Sequence, residues 1–317
     1  KNDDFYTQLT DIEKELKFYK KHFKNKIIFC NCDDPRTSNF FHYFSYNFEQ
    51  LGLKKLITTC YRNNQVDMFS DDNNEQAIML EYYGDKNGNN VPDIEEIGII
   101  KLQGDGDFRS EECTKILKNA DIVVTNPPFS LFKEYIDHLI DHKKKFLVLG
   151  SMNAIKYKNI FSLIKSDQLW LGVDNGGTKW FEVKDEYEIK TESRQKIVDG
   201  KKYFSMGNIA WYTNLEHKKR NEELILHKKY TPSEYSNYDN YDAIHIPTVL
   251  EIPFDYNGYM GVPVTFLDKH NKKQFEIFGI MNSGEKNKGI RYKNTPHGRP
   301  LINGKEIYTR ILIKRKT

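Results

Sequence analysis

The chain has 317 residues and 38% apolar content, enough for one large domain or two moderate ones, and no run of about 18 apolar residues, which leaves no membrane span to expect. Its four cysteines, Cys30, Cys32, Cys60 and Cys113, form no Cys-x-x-Cys pair and do not cluster with His at zinc spacing, so a reduced, cytoplasmic, metal-free protein is expected. The net charge of +3 conceals an imbalance: residues 1–217 carry 30 Lys+Arg against 34 Asp+Glu, whereas residues 218–317 carry 18 against 11. A basic region joined to a mildly acidic one has the charge of a polyanion-binding module on a catalytic domain, with ordinary surface scatter as the alternative.

Residues 26–32 (KIIFCNC) read as a first buried strand, a short apolar run stopped by Asp33-Asp34-Pro35. Residues 39–51 then place Phe40, Phe41, Phe44, Phe48 and Leu51 at helical spacing, and residues 55–60 (KLITTC) are a second strand. Residues 61–93 are polar and rich in Asn, Asp and Gly, which suits a long surface excursion with a hairpin around Lys86-Asn87-Gly88. Residues 96–102 (EIGIIKL) make a third strand ending at Gly104-Asp105-Gly106-Asp107-Phe108, followed by a short helix over 110–118 capped by Ser110. Residues 121–125 are a fourth strand, which runs into Asn126-Pro127-Pro128-Phe129. Ser130 then caps a helix with the apolar face Leu131, Phe132, Tyr135, Ile136, Leu139 and Ile140, and residues 145–150 (KFLVLG) are a fifth strand. Because strand and helix alternate, right-handed crossovers predict a mostly parallel α/β sheet covered on both faces. Residues 169–173, 179–183 and 209–215 read as shorter strands completing that sheet, and the chain from Lys218 onward as irregular, basic and Tyr-rich.

Two consecutive prolines after a buried strand neither extend a ladder nor begin a helix, since each lacks an N–H and fixes φ. The backbone there is rigid and its carbonyls are free to accept. The Asn126 side-chain oxygen and the Pro127 carbonyl can each accept one N–H of an exocyclic amino group, while the Phe129 ring lies on a flat heterocycle. A strand-ending turn with a buried Phe is the plain alternative, but ligands of open α/β sheets sit at strand carboxyl ends. Three further segments join it as candidates. Residues 32–38 (CDDPRTS) offer backbone N–H groups and a carboxylate to a cofactor. Residues 104–108 offer a carboxylate for the amino group of an adenine and a Phe for its face. The third is Asp3-Asp4-Phe5-Tyr6-Thr7 at the amino terminus. Taken singly, these read first as Asp-Gly turns, a helix cap and a frayed end anchored by aromatics, and only their coincidence on one sheet edge makes them candidates.

Asp4-Phe5-Tyr6-Thr7-Gln8, Cys30-Asn31-Cys32-Asp33-Asp34-Pro35-Arg36, Gly104-Asp105-Gly106-Asp107-Phe108-Arg109-Ser110 and Thr125-Asn126-Pro127-Pro128-Phe129-Ser130-Leu131-Phe132 together resemble the adenine-specific DNA methyltransferases of the EcoRI modification-methylase type. The likeness continues through Trp211-Tyr212-Thr213-Asn214-Leu215, Tyr238-Asp239-Asn240-Tyr241-Asp242-Ala243-Ile244 and Gly261-Val262-Pro263-Val264-Thr265-Phe266-Leu267 to Arg310-Ile311-Leu312-Ile313, nearly the whole chain.

The resemblance implies a Rossmann-like S-adenosylmethionine-dependent methyltransferase sheet, mostly parallel and seven-stranded. It implies a catalytic domain over residues 1–217 and a DNA target-recognition region over 218–317. S-adenosylmethionine would be the methyl donor, and N6 of an adenine in a short motif of double-stranded DNA the acceptor. Carried over by position, Asn126, Pro127, Pro128 and Phe129 are the catalytic set. Asp107 and Phe108 meet the cofactor's adenine, with Asp105 competing for the role of Asp107. Cys32, Asp33 and Asp34 lie near the methionine or ribose, and Tyr6 and Thr7 near the methionine carboxylate. Two departures stand out. No glycine follows strand one between Asp34 and Asn39, and Cys60-Tyr61 stands where related enzymes end strand two with an acidic residue. Ribose binding then falls to Asp33, or Tyr61 packs on the adenine.

The expected partners are duplex DNA and no membrane or metal, with the enzyme a cytoplasmic, nucleoid-associated prokaryotic monomer. A cognate restriction endonuclease is compatible with this and implies no stable complex. The target adenine must leave the base stack to be reached. Lys218-Lys219-Arg220, Lys228-Lys229 and Lys314-Arg315-Lys316 are candidate phosphate contacts. The same turn would serve N6 of adenine in RNA or a glutamine side chain of a protein, and a catalytically silent DNA-binding protein is the alternative outside enzymes. The basic carboxy-terminal region favours nucleic acid, and the end-to-end likeness favours duplex DNA.

Overall fold

The structure is a computed structural model that describes residues 5–32, 38–59, 77–89, 91–93, 95–281 and 298–316. The chain divides into two compact units, one of residues 1–154 with 172–215 and one of residues 155–171 with 216–317.

In the first unit the chain forms β1 (Tyr6–Thr7), α1 (Leu9–Leu16), α2 (Lys20–Phe23), β2 (Ile27–Asn31), α3 (Asn39–Tyr46), α4 (Phe48–Leu51) and β3 (Lys55–Thr59). It continues through β4 (Ile78–Tyr82), β5 (Ile97–Lys101), α5 (Glu111–Asn119), β6 (Ile122–Thr125), α6 (Phe132–Asp141) and β7 (Lys145–Ser151). Helix α7 (Lys158–Lys165) and strand β8 (Trp170–Leu171) fall in the second unit, after which β9 (Thr178–Val183), β10 (Gln195–Val198), β11 (Lys201–Gly207) and β12 (Ile209–Thr213) complete the first.

The main sheet runs in the order β5-β4-β3-β2-β6-β7-β12. Its centre is parallel, β3 with β2, β2 with β6 and β6 with β7. The flanks are not: β4 pairs antiparallel with both β3 and β5, and β12 antiparallel with β7. The mostly parallel sheet expected from the alternation is therefore a mixed one. The described residues between β4 and β5 hold no helix, so the chain returns beside β4 antiparallel rather than by a helical crossover. The expected strand over 179–183 does not extend this sheet either. It lies in a second, antiparallel sheet, β1-β9-β11-β10. The β10–β11 turn places Asp199 (φ 51°) and Gly200 (φ 76°) in the left-handed region, the two-residue geometry whose twist matches a hairpin.

All four residues of β6 are buried, as a strand covered on both faces requires. Helix α6 packs on the sheet through Phe132, Tyr135, Ile136 and Leu139, spaced to share one face, with Phe132 against β7 and Tyr135 reaching β2. The Phe132 ring fills the space where a side chain at Gly150 of β7 would stand, so glycine there lets helix and sheet close up. Ser110 caps α5 as expected, accepting from the Cys113 N–H at 3.1 Å. Ser130 does not cap α6: it sits inside a single 3-10 turn, Phe129–Leu131, and the helix begins at Phe132 with Leu131 at its cap position. The long helix expected over 39–51 is two pieces broken at Asn47.

The second unit is more ordered than its composition suggests. Strands β13 (Ile244–His245), β14 (Met260–Pro263), β15 (Phe275–Met281) and, after the small hairpin β16 (Leu301–Ile302) and β17 (Lys305–Glu306), β18 (Arg310–Arg315) form a sheet in the order β13-β14-β18-β15. Tyr238, Tyr241, Ala243, Met281 and Leu312 are buried together. The strands are short and far apart in sequence, so no local periodicity announces them.

Candidate active site

Strand β6 ends at Thr125, whose hydroxyl donates to the Asn31 carbonyl at the end of β2 and ties the two strand ends together. The next residue, Asn126, is buried at 6% exposure. Its Nδ2 donates to the Phe5 carbonyl at 2.6 Å, and its Oδ1 is buried with no hydrogen-bond partner among the described residues. Pro127 is buried and Pro128 half-buried, and the Pro128 carbonyl accepts from the Leu131 N–H at 3.0 Å to close the 3-10 turn. Phe129 is half-buried. Its ring stacks on Phe5 with centroids 5.9 Å apart and 26° between planes, and meets Phe181 edge-on at 6.3 Å.

The amino-terminal strand is held on the same side of the unit. Thr7 pairs with Phe181 of β9, and its carbonyl accepts from Asn39 Nδ2 at the start of α3, 2.7 Å away. Thr7 is 2% exposed, and its Oγ1 and the neighbouring Gln8 Nε2 are buried without hydrogen-bond partners among the described residues. Buried polar atoms are seldom left unpaired. Here an acceptor on Asn126, a hydroxyl on Thr7 and a donor on Gln8 have no partner among the described residues, on segments joined through Phe5.

At the end of β2, the Tyr135 hydroxyl donates to Asn31 Oδ1. Complete burial pushes the Tyr135 phenol well above its ordinary range, so it remains a donor at any physiological pH. Cys32 follows with a left-handed backbone (φ 82°), uncommon for a residue with a side chain, and half exposed. The Phe108 ring is buried and meets Tyr135 edge-on at 4.9 Å. Beside it, the Asp107 carboxylate accepts from the Arg109 N–H at 2.8 Å, from Nε at 2.9 Å and from Nη2 at 2.7 Å. The Arg109 guanidinium holds the Asp107 carboxyl below the usual carboxylate range. Asp105 is exposed and accepts from the Asp107 N–H at 3.0 Å, while Glu112 takes the N–H groups of Gln103 and Gly104 at 3.0 Å each, so the loop is shaped by its own carboxylates.

A continuous series of contacts thus runs from Phe108 through Tyr135, Asn31 and Thr125 to Asn126, and from Asn126 through Phe5 to Thr7. The described candidates Tyr6, Thr7, Cys32, Asp107, Phe108 and Asn126 to Phe129 lie along or beside it, and Asp105 adjoins it through Asp107. Asp3, Asp4, Asp33, Asp34, Cys60 and Tyr61 lie outside the described residues. Phe5 lay within the candidate segment of residues 3–7 without a role of its own, and Gln8, Asn31, Asn39 and Tyr135 received no site role from the sequence. Only Tyr135 carried a signal, as a hydroxyl-bearing ring within an otherwise apolar helix face. Among the described residues no group of three or more His, Cys, Asp or Glu side chains is placed to hold a metal ion.

Two candidate phosphate contacts are spoken for within the second unit. Lys219 pairs with Asp268 at 2.6 Å. Arg220 is 8% exposed, pairs with Asp167 and Glu216, and lies 3.5 Å from the centroid of Trp170. Lys228 and Lys229 are exposed.

The sequence model of a family described as "Adenine-specific methyltransferase EcoRI" matches residues 1–316. The Type II methyltransferase M.EcoRI of Escherichia coli is 46% identical over 319 positions, covering all of this chain and 94% of its own. Type II methyltransferase M.MgeORF184P of Mycoplasma genitalium is 38% identical and Type II methyltransferase M.MpnI of Mycoplasma pneumoniae 37% identical, each over all of this chain and 96% of its own. No solved structure matches the chain.

Proposed function

The chain belongs to the EcoRI family of adenine-specific methyltransferases, and on that premise we propose how its site carries out the reaction. It is a Type II adenine methyltransferase. The donor in this reading is S-adenosylmethionine and the acceptor N6 of an adenine flipped out of duplex DNA. The observation that carries it is the Asn126 Oδ1 atom, a buried acceptor with no partner among the described residues, on a turn whose other side chains are apolar.

Adenine N6 is a weak nucleophile because its lone pair is delocalised into the ring. Asn126 Oδ1 and the Pro127 carbonyl accept its two protons, which favours a tetrahedral nitrogen with the pair available for attack. The rigid Pro127-Pro128 backbone keeps those acceptors aimed before the base arrives, so no reorganisation is needed at the moment of transfer. The half-buried Phe129 ring packs on the base. No strong general base is required, since the amino proton becomes acidic only after the nitrogen has been alkylated.

The donor set fits the cofactor. Thr7 Oγ1 and Gln8 Nε2 are buried hydrogen-bonding atoms without partners among the described residues, suited to a carboxylate. Asp107 is a carboxylate kept ionised beside the apolar Phe108 face, suited to an adenine amino group and ring. Tyr6, Cys32 and, outside the described residues, Asp33 and Asp34 complete the proposed set, with Asp105 the rival of Asp107. When bound, S-adenosylmethionine supplies an electrophilic methyl group on a sulfonium centre. Residues 218–317, with their net charge of +7, take the role of target-recognition region.

The test is long-read sequencing of DNA from a methylation-free host expressing the chain or its Asn126→Ala variant. N6-methyladenine at one short motif, absent with the variant, supports the assignment. An Asn126→Ala enzyme with wild-type turnover refutes it, and soluble, cofactor-binding wild type that leaves DNA unmodified redirects the acceptor to RNA or protein.

A further inference from the structure

A side-chain amide presents an oxygen to one side and a nitrogen to the other, and only one orientation of Asn126 offers an acceptor to an amino group. Asn126 Nδ2 donates at 2.6 Å to the carbonyl of Phe5, a residue 121 positions away in sequence, and a carbonyl can only accept. Turning the amide over would oppose Oδ1 to that carbonyl oxygen in a buried place, losing one bond and leaving two acceptors face to face. The flipped form is disfavoured on the order of 100-fold. It would also present a donor to a donor, which no amino group can use.

Phe5 is itself held in place. Its ring, 8% exposed, packs on Phe129 at 5.9 Å, Tyr187 at 5.4 Å, and Phe181 and Phe204 at 6.1 Å each. The two residues that follow are fixed by pairing with Glu182 and Phe181 and by the bond from Asn39 to the Thr7 carbonyl.

We propose that Phe5 is a positioning residue for methyl transfer: its carbonyl selects the orientation of Asn126 that presents Oδ1 to the base, and its ring locks that carbonyl against the catalytic turn. The inference rests on the reading of Asn126 as the acceptor. It also makes the amino-terminal strand, far from the turn in sequence, a working part of the catalytic machinery rather than an edge strand alone.

The experiment is single-turnover methyl transfer to a duplex oligonucleotide, followed against pH at saturating cofactor and DNA. An aspartate at 126 has no N–H for the Phe5 carbonyl. Ionised, it sets a charged oxygen against that carbonyl; protonated, it donates to it and leaves the other oxygen for the base. Burial and the facing carbonyl raise the pKa of such a carboxyl. Asn126→Asp should therefore be slow at about pH 8 and gain roughly tenfold or more toward about pH 6, where the wild type gains nothing. Phe5→Gly, which releases the carbonyl, should lose about tenfold or more in rate with cofactor affinity kept, and Phe5→Leu should recover most of it. In the double variant Phe5→Gly/Asn126→Asp the acid-side gain should vanish. A pH profile of Asn126→Asp parallel to the wild type, or a Phe5→Gly enzyme at the wild-type rate, overturns the proposal. A merely structural role for Phe5 would lower the melting temperature without altering the pH profile. Should Asn126→Asp fail to fold, the Phe5→Gly and Phe5→Leu pair decides. Wild-type turnover in Asn126→Ala would instead sink the underlying reading of the acceptor.

Discussion

Removing the Asp107 carboxylate separates cofactor recognition from chemistry. In the proposed site that carboxylate accepts from the adenine amino group of the cofactor while Arg109 braces it with three N–H groups between 2.7 and 2.9 Å. A hydrogen bond to a charged group contributes about 1.5–3 kcal/mol, so Asp107→Ala should weaken cofactor binding by roughly 10- to 150-fold. The brace contributes much less. Arg109 is 51% exposed and Asp107 21%, and a pair so open to solvent contributes about 0.2–1 kcal/mol. Arg109→Ala should accordingly cost no more than about fivefold. The assay is isothermal titration of S-adenosylmethionine or its demethylated product into each variant, with turnover measured at saturating donor. Both variants should keep most of the wild-type rate once saturated, because neither residue touches the acceptor. The pH dependence has a definite sign. Arg109 lowers the Asp107 pKa, so the affinity that depends on the ionised carboxylate is present above the ordinary carboxylate range and is lost only as pH falls below it. In Arg109→Ala that loss should begin at higher pH. Unchanged affinity in Asp107→Ala, or a fallen rate at saturation with affinity intact, would refute the assignment and pass the role to Asp105.

Exchanging the exposed pair Lys228 and Lys229 for Gln should reduce the slope of log affinity for duplex DNA against log salt by about 1.8; an unchanged slope would remove both from the contact surface. Arg220→Ala, by contrast, should leave that slope alone and lower the stability of the second unit by about 2 kcal/mol in urea titrations. It removes a buried guanidinium stacked on Trp170, while the partner carboxylates stay partly hydrated. His245 is pushed down to about 4, first by burial and then by Arg310. Its neutral form is therefore favoured in the fold, and the stability it contributes is complete above about pH 6.5 and is lost as pH falls toward 4. Urea midpoints measured across that interval should decline more in the wild type than in His245→Gln; parallel curves would assign the decline to other groups.

Much of the site was legible in the chain because its signals are local. A buried apolar run followed by Asn126-Pro127-Pro128-Phe129 specifies a strand and a rigid, acceptor-rich turn within eight residues, and two adjacent prolines leave few alternatives. The Ser110 cap and the apolar face of α6 are likewise short-range patterns. Ser130 misled because a polar residue after prolines signals a cap, whereas the 3-10 turn Phe129–Leu131 satisfies the first backbone groups without it. The lysine and arginine run at 218–220 shows a different limit: charge is visible in sequence, but the carboxylates that pair with Lys219 and Arg220, Asp268 and Asp167, are about 50 residues away.

By itself, then, the chain determined what each segment is able to form: strand, turn or helix, acceptor or donor. Only the tertiary structure decided the partners. Whether β4 and β5 run with or against β3, whether residues 178–183 extend the main sheet or pair with Tyr6 and Thr7, and which way the Asn126 amide points all depend on contacts between distant residues. Such contacts follow from which arrangement buries the most apolar surface while pairing the most backbone groups, and no window of neighbouring residues contains that comparison.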